Sequence, residues 1–370
     1  MAVSKFRVFV NNQPNDEEQL ERFTDIQVDQ AIGMASEAEL KIDLAADDDG
    51  TWQDTAEPLA DPQARVRVEV QVGDADFVPL IDGPVVGQRF ELNATPGRST
   101  ITVVVQDDSV LLNQDEGVEV FEDQAPDEIA STLIESAGLE AEVDSIPDAG
   151  SALERYVVRR GSAMRLLRQL ARQYGMFVYI RPGDDPGRSI GVFAHPDLSP
   201  SDLPQMLLMG ADRNVNQITV EFDALRPMEA VAGSVRISDL EVLSSEVSQS
   251  SDVALGDSAV HTLVTPAKVL LARTREEQSD LDAAAQAAAN LSSWAYTARG
   301  ETTAEVYAGV LQPHKTVRVT GLGSRLSGDY LISRVRHSLN FESYKQSFTL
   351  LRNARLEGDG GGGGLLGGII

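Results

Sequence analysis

Residues 299–353 read RGETTAEVYAGVLQPHKTVRVTGLGSRLSGDYLISRVRHSLNFESYKQSFTLLRN and carry the strongest fold signal in the chain. In residues 316–320 apolar and polar side chains alternate, and glycines then break the run, which predicts a short half-buried strand. A second run over residues 328–336 alternates imperfectly, and residues 340–343 turn the chain back into residues 345–352. The pattern predicts three antiparallel strands with tight connections, as a meander or as part of a barrel.

Length and hydropathy set the class of protein. The chain has 370 residues, of which 42% are hydrophobic, so it is long enough for two to four globular domains of about 100–200 residues each. No apolar run approaches the roughly 20 residues that span a bilayer, and residues 1–12 lack the pattern of a signal peptide. We therefore expect a protein that is made in the cytoplasm and does not insert directly into a membrane.

The charge balance and the cysteine count exclude several functions. The sequence has no Cys, which excludes disulfides, thiolate metal sites and a cysteine nucleophile. It carries 31 Lys and Arg against 58 Asp and Glu, a formal charge of -27. This charge disfavours stable nucleic-acid binding, because phosphate backbones attract cations. It suits either a pore through which DNA or cargo slides without sticking or a salt-adapted surface.

Strand signals also fill the first third of the chain. Together with an N-terminal strand, four runs predict about six antiparallel strands in a closed or nearly closed barrel, and the alternation in residues 38–44 and 66–72 predicts one wet face for each of these two strands. The order of strands and turns in residues 66–107 parallels that in residues 317–353. This indicates either a diverged internal repeat of one barrel or a general likeness of all-β sequences. The four runs are residues 38–44, 66–72, 81–92 and 99–106.

Helical periodicity appears between the two β-rich parts. Pro126 opens a predicted helix that Gly138 ends, and Ser162 caps a second helix whose apolar stripe ends before Gly175. A strand is predicted next, at residues 176–180. The middle of the chain is therefore predicted to be α/β.

Two blocks of sequence resemble a known family. The first is Ser327-Gly328-Asp329-Tyr330, followed by strands that end in Val335-Arg336-His337 and in Leu351-Arg352-Asn353; the second, residues 156–182, is YVVRRGSAMRLLRQLARQYGMFVYIRP. Their order is similar to that of the late control protein D family, the baseplate hub proteins of contractile phage tails. That family is similar in fold to the base of type VI secretion spikes and to hubs of extracellular contractile injection systems. The resemblance spans residues 6–353 and departs from the family at Ala163 and Leu166, where an acidic and an aromatic residue are more usual.

The resemblance implies a structural role and a set of partners. Two similar barrels in each of three chains would present six similar units in a ring, which can join a hexameric inner tube to a threefold spike. The implied partners are further copies of the chain in a homotrimer, the spike protein, the inner tube protein and other baseplate proteins. No cofactor is implied, and the protein would be assembled into a phage tail or an injection particle.

The second β-rich part carries weaker signals. A linker is predicted at Pro200 and Pro204, and a long helix begins at a capping box formed by Thr274 and Glu277 and ends at Gly300. Further strands are predicted at residues 217–222 and 234–243, and a polar surface loop is predicted at residues 244–258.

Two features are candidate interaction sites. The first is a basic island in an acidic protein, either a solvated helix face or an interface to an acidic surface of a neighbouring subunit or tube ring. The second is a glycine-tethered tail with an apolar tip, either a disordered end or a peptide that docks into a spike protein. The island comprises Arg159, Arg160, Arg165, Arg168 and Arg172, preceded by Arg155, and the tip comprises Leu365, Leu366, Ile369 and Ile370.

No catalytic or metal-binding signature is complete. An EF-hand register over the acidic residues 47–49 places Ala45 and Ala56 at its first and last ligand positions. Residues 321–323 lack the third glycine of a dinucleotide site, and the four His are scattered without metal-ligand spacing. We expect no enzyme activity, no metal and no cofactor.

The sequence thus predicts an α+β, mainly β protein with two similar antiparallel tube-like β-barrel domains, an α/β domain between them and a helical insertion. The expected parts are residues 1–108, 109–196, 197–355 and a flexible tail at 356–370. The expected function is that of a trimeric baseplate hub. The alternative is a secreted or surface β-rich protein that binds a carbohydrate or protein ligand, with a salt-adapted acidic surface. Against this alternative, aromatic residues, which would form sugar-binding platforms, are only 5% of the chain.

Overall fold

The computed structural model describes residues 4–45, 58–95, 97–146, 156–236, 239–271 and 278–357 of a mainly β protein. The first part contains β1 Ser4–Val10, β2 Gln13–Pro14, α1 Glu17–Leu20, β3 Phe23–Ala31, β4 Glu37–Leu44, β5 Arg65–Val72, β6 Val78–Glu91 and β7 Ser99–Gln106. The middle part contains α2 Ser109–Gln114, β8 Glu116–Glu122, α3 Pro126–Ser136, β9 Glu140–Val143, β10 Tyr156–Ser162, α4 Ala163–Tyr174, β11 Phe177–Pro182 and β12 Ser189–Ala194. The last part contains β13 Met206–Leu207, β14 Ile218–Phe222, β15 Met228–Val235, β16 Val242–Val247, β17 Ser258–Ala259, α5 Val260–Leu263, β18 Ala267–Leu270, α6 Gln278–Ser292, β19 Tyr296–Thr303, β20 Thr316–Thr320, β21 Gly328–Leu339, β22 Tyr344–Arg352 and β23 Ala354–Arg355.

Most strands belong to one 13-stranded sheet. Its main path runs β14-β19-β22-β21-β3-β4-β7-β6-β5-β1-β2, and β20, with β13 beside it, also pairs with β21. The strands β20, β21 and β22 form the meander that their alternation predicted, so this prediction is confirmed. The two halves of the sheet meet where β3 pairs with β21.

The same strand order occurs in both halves of the sheet. The first half pairs as β1-β5-β6-β7-β4-β3 and the second as β13-β20-β21-β22-β19-β14. The halves differ in the direction of the first strand, because β1 is antiparallel to β5 and β13 is parallel to β20. In each half the long central strand has different partners along its two parts. The strand β6 pairs with β5 up to Pro84 and with β7 from Val85, and β21 pairs with β20 up to Leu331 and with β3 from Arg334. Among the described strands neither half closes into a barrel, since the sheet continues through β3 and β21.

The middle part of the chain has its own core. Residues of α3, α4, β11 and β12 bury a separate apolar cluster that includes Ile129, Leu167 and Phe193. The Ser162 hydroxyl accepts a hydrogen bond from the Arg165 backbone N–H at 3.3 Å and so caps α4. Gly175 ends α4 with φ 68°, in the left-handed region that favours glycine. These two capping predictions are confirmed.

Two predicted elements in the last part are wrong. Residues 234–243 are not one strand, because β15 ends at Val235 and β16 begins at Val242; the Arg236 N–H donates to the Glu241 carbonyl across the turn at 2.9 Å. The apolar residues that suggested a strand therefore lie on both sides of a hairpin turn. Residues 244–247, predicted as the start of a polar loop, are likewise part of a strand, β16.

The long helix α6 also ends earlier than predicted. It stops at Ser292, where the hydroxyls of Ser292 and Ser293 donate to the carbonyls of the last turn at 2.8 and 2.6 Å. Gly300 lies instead within β19, where a Cβ would come within 2.7 Å of the Gln217 carbonyl and of the Phe348 ring. The predicted capping box at Thr274 and Glu277 lies outside the described residues.

Candidate assembly surfaces

The basic island lies on one continuous stretch formed by β10 and α4. Arg159 pairs with Glu119 of β8 at 3.3 Å, Arg160 is exposed on β10, and Arg165 and Arg172 are exposed on α4. Arg168 is half-buried, and its Nε has no hydrogen-bond partner. Of the five, only Arg159 forms an ion pair with another described residue, in a chain with 58 acidic side chains. The island therefore has cations available for a carboxylate outside this chain. Arg155 lies outside the described residues.

Next to the island, β8 and β10 form a two-stranded ribbon with an exposed apolar face. Val118 is 77% exposed, and Val120, Tyr156 and Val158 are also exposed, whereas Phe121 on the opposite face is buried. The alternation of valine and glutamate in EGVEVFE was the sequence signal for this ribbon, which the sequence reasoning missed.

The seam between β3 and β21 is held by charge on its outer face. Asp29 accepts a hydrogen bond from Arg334 Nε at 2.8 Å and one from Arg336 Nη2 at 3.0 Å. The hydrogen bond from Arg334 lowers the pKa of the Asp29 carboxyl more than the one from Arg336 does. Both arginines come from the second half of the sheet and Asp29 from the first.

The inner face of the seam carries a buried polar chain. His337 is fully buried, with Nδ1 at 2.8 Å from Tyr344 Oη and Nε2 at 3.1 Å from Gln30 Oε1. The Gln30 amide in turn donates to the Leu80 carbonyl at 2.7 Å. Burial lowers the pKa of His337 to about 3, so its ring is neutral at physiological pH. Of the scattered histidines that the sequence shows, this one joins the two halves.

A second buried cluster attaches the middle part of the chain to the first half of the sheet. Arg67 of β5 pairs with Glu69 at 2.7 Å and with Asp82 at 3.2 Å, and donates to the carbonyls of Gly183 and Asp184 at 2.8 and 3.0 Å. The predicted wet face of β5 is therefore wrong: Arg67 is 2% exposed and Glu69 is buried, because the loop after β11 covers them.

The Leu351-Arg352-Asn353 motif fixes a loop and a turn at the end of the sheet. Arg352 is 1% exposed and donates to the carbonyls of Leu255, Leu326 and Ser327 at 2.6, 3.1 and 3.0 Å. Asn353 accepts from the Leu255 N–H at 2.9 Å. At Gly328, φ is 134° and a Cβ would lie 2.7 Å from the Arg352 guanidinium. The two motifs of the first block therefore meet in space.

The remaining predictions concern absences and the chain end. Over the described ranges, no group of three His, Cys, Asp or Glu is arranged to hold a metal ion. None of the helices in those ranges has both the length and the apolar content to cross a membrane. The acidic residues 47–49 and the apolar tip, Leu365, Leu366, Ile369 and Ile370, lie outside the described residues.

Comparisons with known proteins identify the fold. A family model described as the Alg8 N-terminal domain matches residues 2–340. A search of the curated proteins by sequence finds no match. The 43 kDa tail protein of prophage MuSo2 from Shewanella oneidensis is similar over 95% of this chain and 98% of its own, with a TM-score of 0.65 and 15% identity.

Two further structures are similar. The tail protein from Neisseria meningitidis MC58 covers 95% of this chain and 97% of its own, with a TM-score of 0.64 and 14% identity. The E. coli c3393 protein, a component of the type VI secretion system, covers 94% of this chain and 76% of its own, with a TM-score of 0.52 and 10% identity. At the level of the fold, the resemblance to tail and spike-base proteins is confirmed.

Proposed function

The chain belongs to the family of the Alg8 N-terminal domain and has the fold of phage tail proteins, and from these two facts we propose that it is a structural baseplate hub. It acts in a contractile phage tail or a contractile injection system, as a homotrimeric adaptor between the hexameric inner tube and the threefold spike. Its role is mechanical rather than catalytic, and it needs no cofactor.

The repeated strand order is the observation that carries this proposal. Each half of the sheet uses the same scheme around one long central strand. Each half then contributes one tube-like module, and three chains contribute six. Because a ring of six similar modules has the symmetry of a hexameric tube while the chains keep threefold symmetry, it can contact a tube and a spike at once.

The chain divides into four functional parts in this proposal. Residues 1–108 and 197–355 are the two tube-like modules, the second with its helical insertion, and residues 109–196 are the α/β domain between them. Residues 356–370 are the tail, whose apolar tip docks into the spike protein. The basic island of the α/β domain faces an acidic surface of another baseplate or tube protein, because four of its arginines have no ion pair in the described chain.

Two measurements test the hub proposal together. Mass measurement of the purified chain should show three copies associated with one another, either when the chain is alone or when it is mixed with the tube and spike proteins from the same source. An electron-microscopic image of the assembled particle should show those copies at the joint between tube and spike. A chain that stays monomeric under both conditions and is missing from the particle would overturn the proposal.

A further inference from the structure

The seam inside one chain is a template for contact between chains. We propose that β14 of one copy pairs with residues 86–91 of β6 in a second copy, as β3 pairs with β21 within the chain. The occupant of the free edge of β6 is thus a second copy of this chain. The number of copies in the ring rests on the proposed function, whereas the pairing itself rests on the strand order and register described above.

The central strands establish which positions are equivalent. The register shift in β6 follows Val85 and the one in β21 follows Ile332. Four residues further on, Arg89 of β6 is therefore equivalent to Arg336 of β21. Both positions carry an arginine.

The outer strands can be matched in the same way. Val85 of β6 pairs with Val105 of β7, and Val105 pairs with Ala38 of β4. In the second half, Ile332 pairs with Leu350 of β22, and Leu350 pairs with Ala298 of β19. Ala38 is therefore equivalent to Ala298, and both are fully buried. One strand further out, Asp29 of β3 is equivalent to Glu221 of β14. Both positions carry a carboxylate, so the residues that would meet at the contact between chains match those that meet in the seam.

The two strand edges involved are uncovered. Among the strands that the structure describes, β14 pairs only with β19, and residues 86–91 of β6 pair only with β7. Phe90 and Leu92 are 55% and 59% exposed, whereas the equivalent His337 and Leu339, covered by β3, are 0% and 1% exposed. An uncovered edge with large apolar side chains is a hazard in a soluble protein, and a partner strand removes it.

The side chains that the register brings together are complementary. In the antiparallel register of the seam, Glu221 of one copy lies opposite Arg89 of the next, which repeats the ion pair of Asp29 and Arg336 at 3.0 Å. In the isolated chain both side chains are in exposed ion pairs. Exchanging these two exposed pairs for one changes the free energy little, because an exposed ion pair contributes at most about 1 kcal/mol.

The neighbouring positions are apolar on both strands. Val220 lies opposite Phe90, and Ile218 lies opposite Leu92, so the contact buries four apolar side chains beside the ion pair. The contact joins two different surfaces, so each copy uses its β14 edge with one neighbour and its β6 edge with the other. Repeated around an axis, this pairing forms a closed ring.

Cysteine cross-linking tests this contact. The chain has no Cys, so introduced cysteines report on one pair of positions only. Side chains opposite each other on antiparallel strands have Cβ atoms about 4.5–5.5 Å apart, close enough for a disulfide after small adjustment. A chain with both Glu221→Cys and Arg89→Cys, oxidised alone or in the assembled particle, should convert mostly into a covalent trimer that a reductant reverses. The control, Val220→Cys with Arg89→Cys, is one residue out of register and on opposite faces, and should give little product.

Each outcome decides between the proposals. A trimer by mass in which the Glu221 and Arg89 pair does not cross-link, or cross-links no better than the control, overturns this contact and leaves the hub proposal in place. A disulfide within single chains, or a ladder beyond three copies, overturns the closed ring. A chain that is monomeric both alone and with tube and spike proteins overturns the hub proposal and this inference with it.

Discussion

Arg67 is a buried cation that ties two parts of the chain together through Asp82 and the carbonyls of Gly183 and Asp184. Arg67→Met keeps the packing volume but leaves the buried Glu69 carboxylate and the two carbonyls without their cation, whereas Asp82 keeps its ion pair with Arg65 at 2.7 Å. The free energy of unfolding should therefore fall by about 3–5 kcal/mol, measured by chemical denaturation. The control Arg181→Met removes a side chain that is 44% exposed and forms an exposed ion pair with Glu142, and should lose at most about 1 kcal/mol. Equal losses in the two variants would contradict the role of Arg67.

His337 makes stability depend on pH. Burial lowers its pKa from the ordinary 6.5 to about 3, so between these values the unfolded chain binds a proton that the folded chain does not. Stability should therefore fall as the pH falls below 6.5, by about 2 kcal/mol at pH 5 for this one group. Urea denaturation at pH 7 and pH 5 measures the difference. His337→Gln keeps a polar partner for Gln30 and Tyr344, and should show a pH dependence smaller by that amount; an unchanged dependence would rule His337 out as its source.

Single elements with local signals were predictable from the sequence. The meander of β20, β21 and β22 and the capped helix α4 follow from alternation, glycine breaks and one serine within a short stretch. The hairpin between β15 and β16 was missed because its apolar residues lie on both sides of a turn. The ribbon of β8 and β10 was missed because its strands are separated by more than thirty residues, a pairing that alternation within one strand does not reveal.

The exposed cations of α4 lead to a prediction at the scale of one element. Arg165→Glu with Arg172→Glu changes two exposed side chains that have no ion pair among the described residues, so the fold should remain intact. Because a partner surface with carboxylates would now be repelled, the amount of chain recovered with the assembled particle should fall severalfold. The matched control is Arg188→Glu with Arg325→Glu, two exposed arginines outside the island. Equal recovery of both double variants would remove the island as an interface.

Across the whole molecule, the seam is the feature that the sequence could not predict. Asp29 and Arg334 are 305 residues apart in the chain, and no local pattern marks two strands so distant as neighbours. The parallel order of residues 66–107 and 317–353 did point to two similar halves. It led to the expectation of separate barrels, whereas the described strands form one continuous sheet. The candidate surfaces were predictable only where charge was concentrated, as in the basic island.

The net charge of the chain predicts how salt affects assembly. Each copy carries a formal charge of -27, so three copies in a ring repel one another over distances of about a Debye length. That length falls from about 30 Å at 0.01 M salt to about 8 Å at 0.15 M. Added salt also weakens the few ion pairs at the contact between copies, but exposed pairs contribute little, and the apolar positions beside them do not depend on screening. The trimeric fraction should therefore rise with sodium chloride over this range, as sedimentation velocity would measure at fixed protein concentration. Sucrose at matched osmolality is the control, and a trimer that dissociates as salt is added would mean that ion pairs, and not apolar strand contacts, hold the copies together.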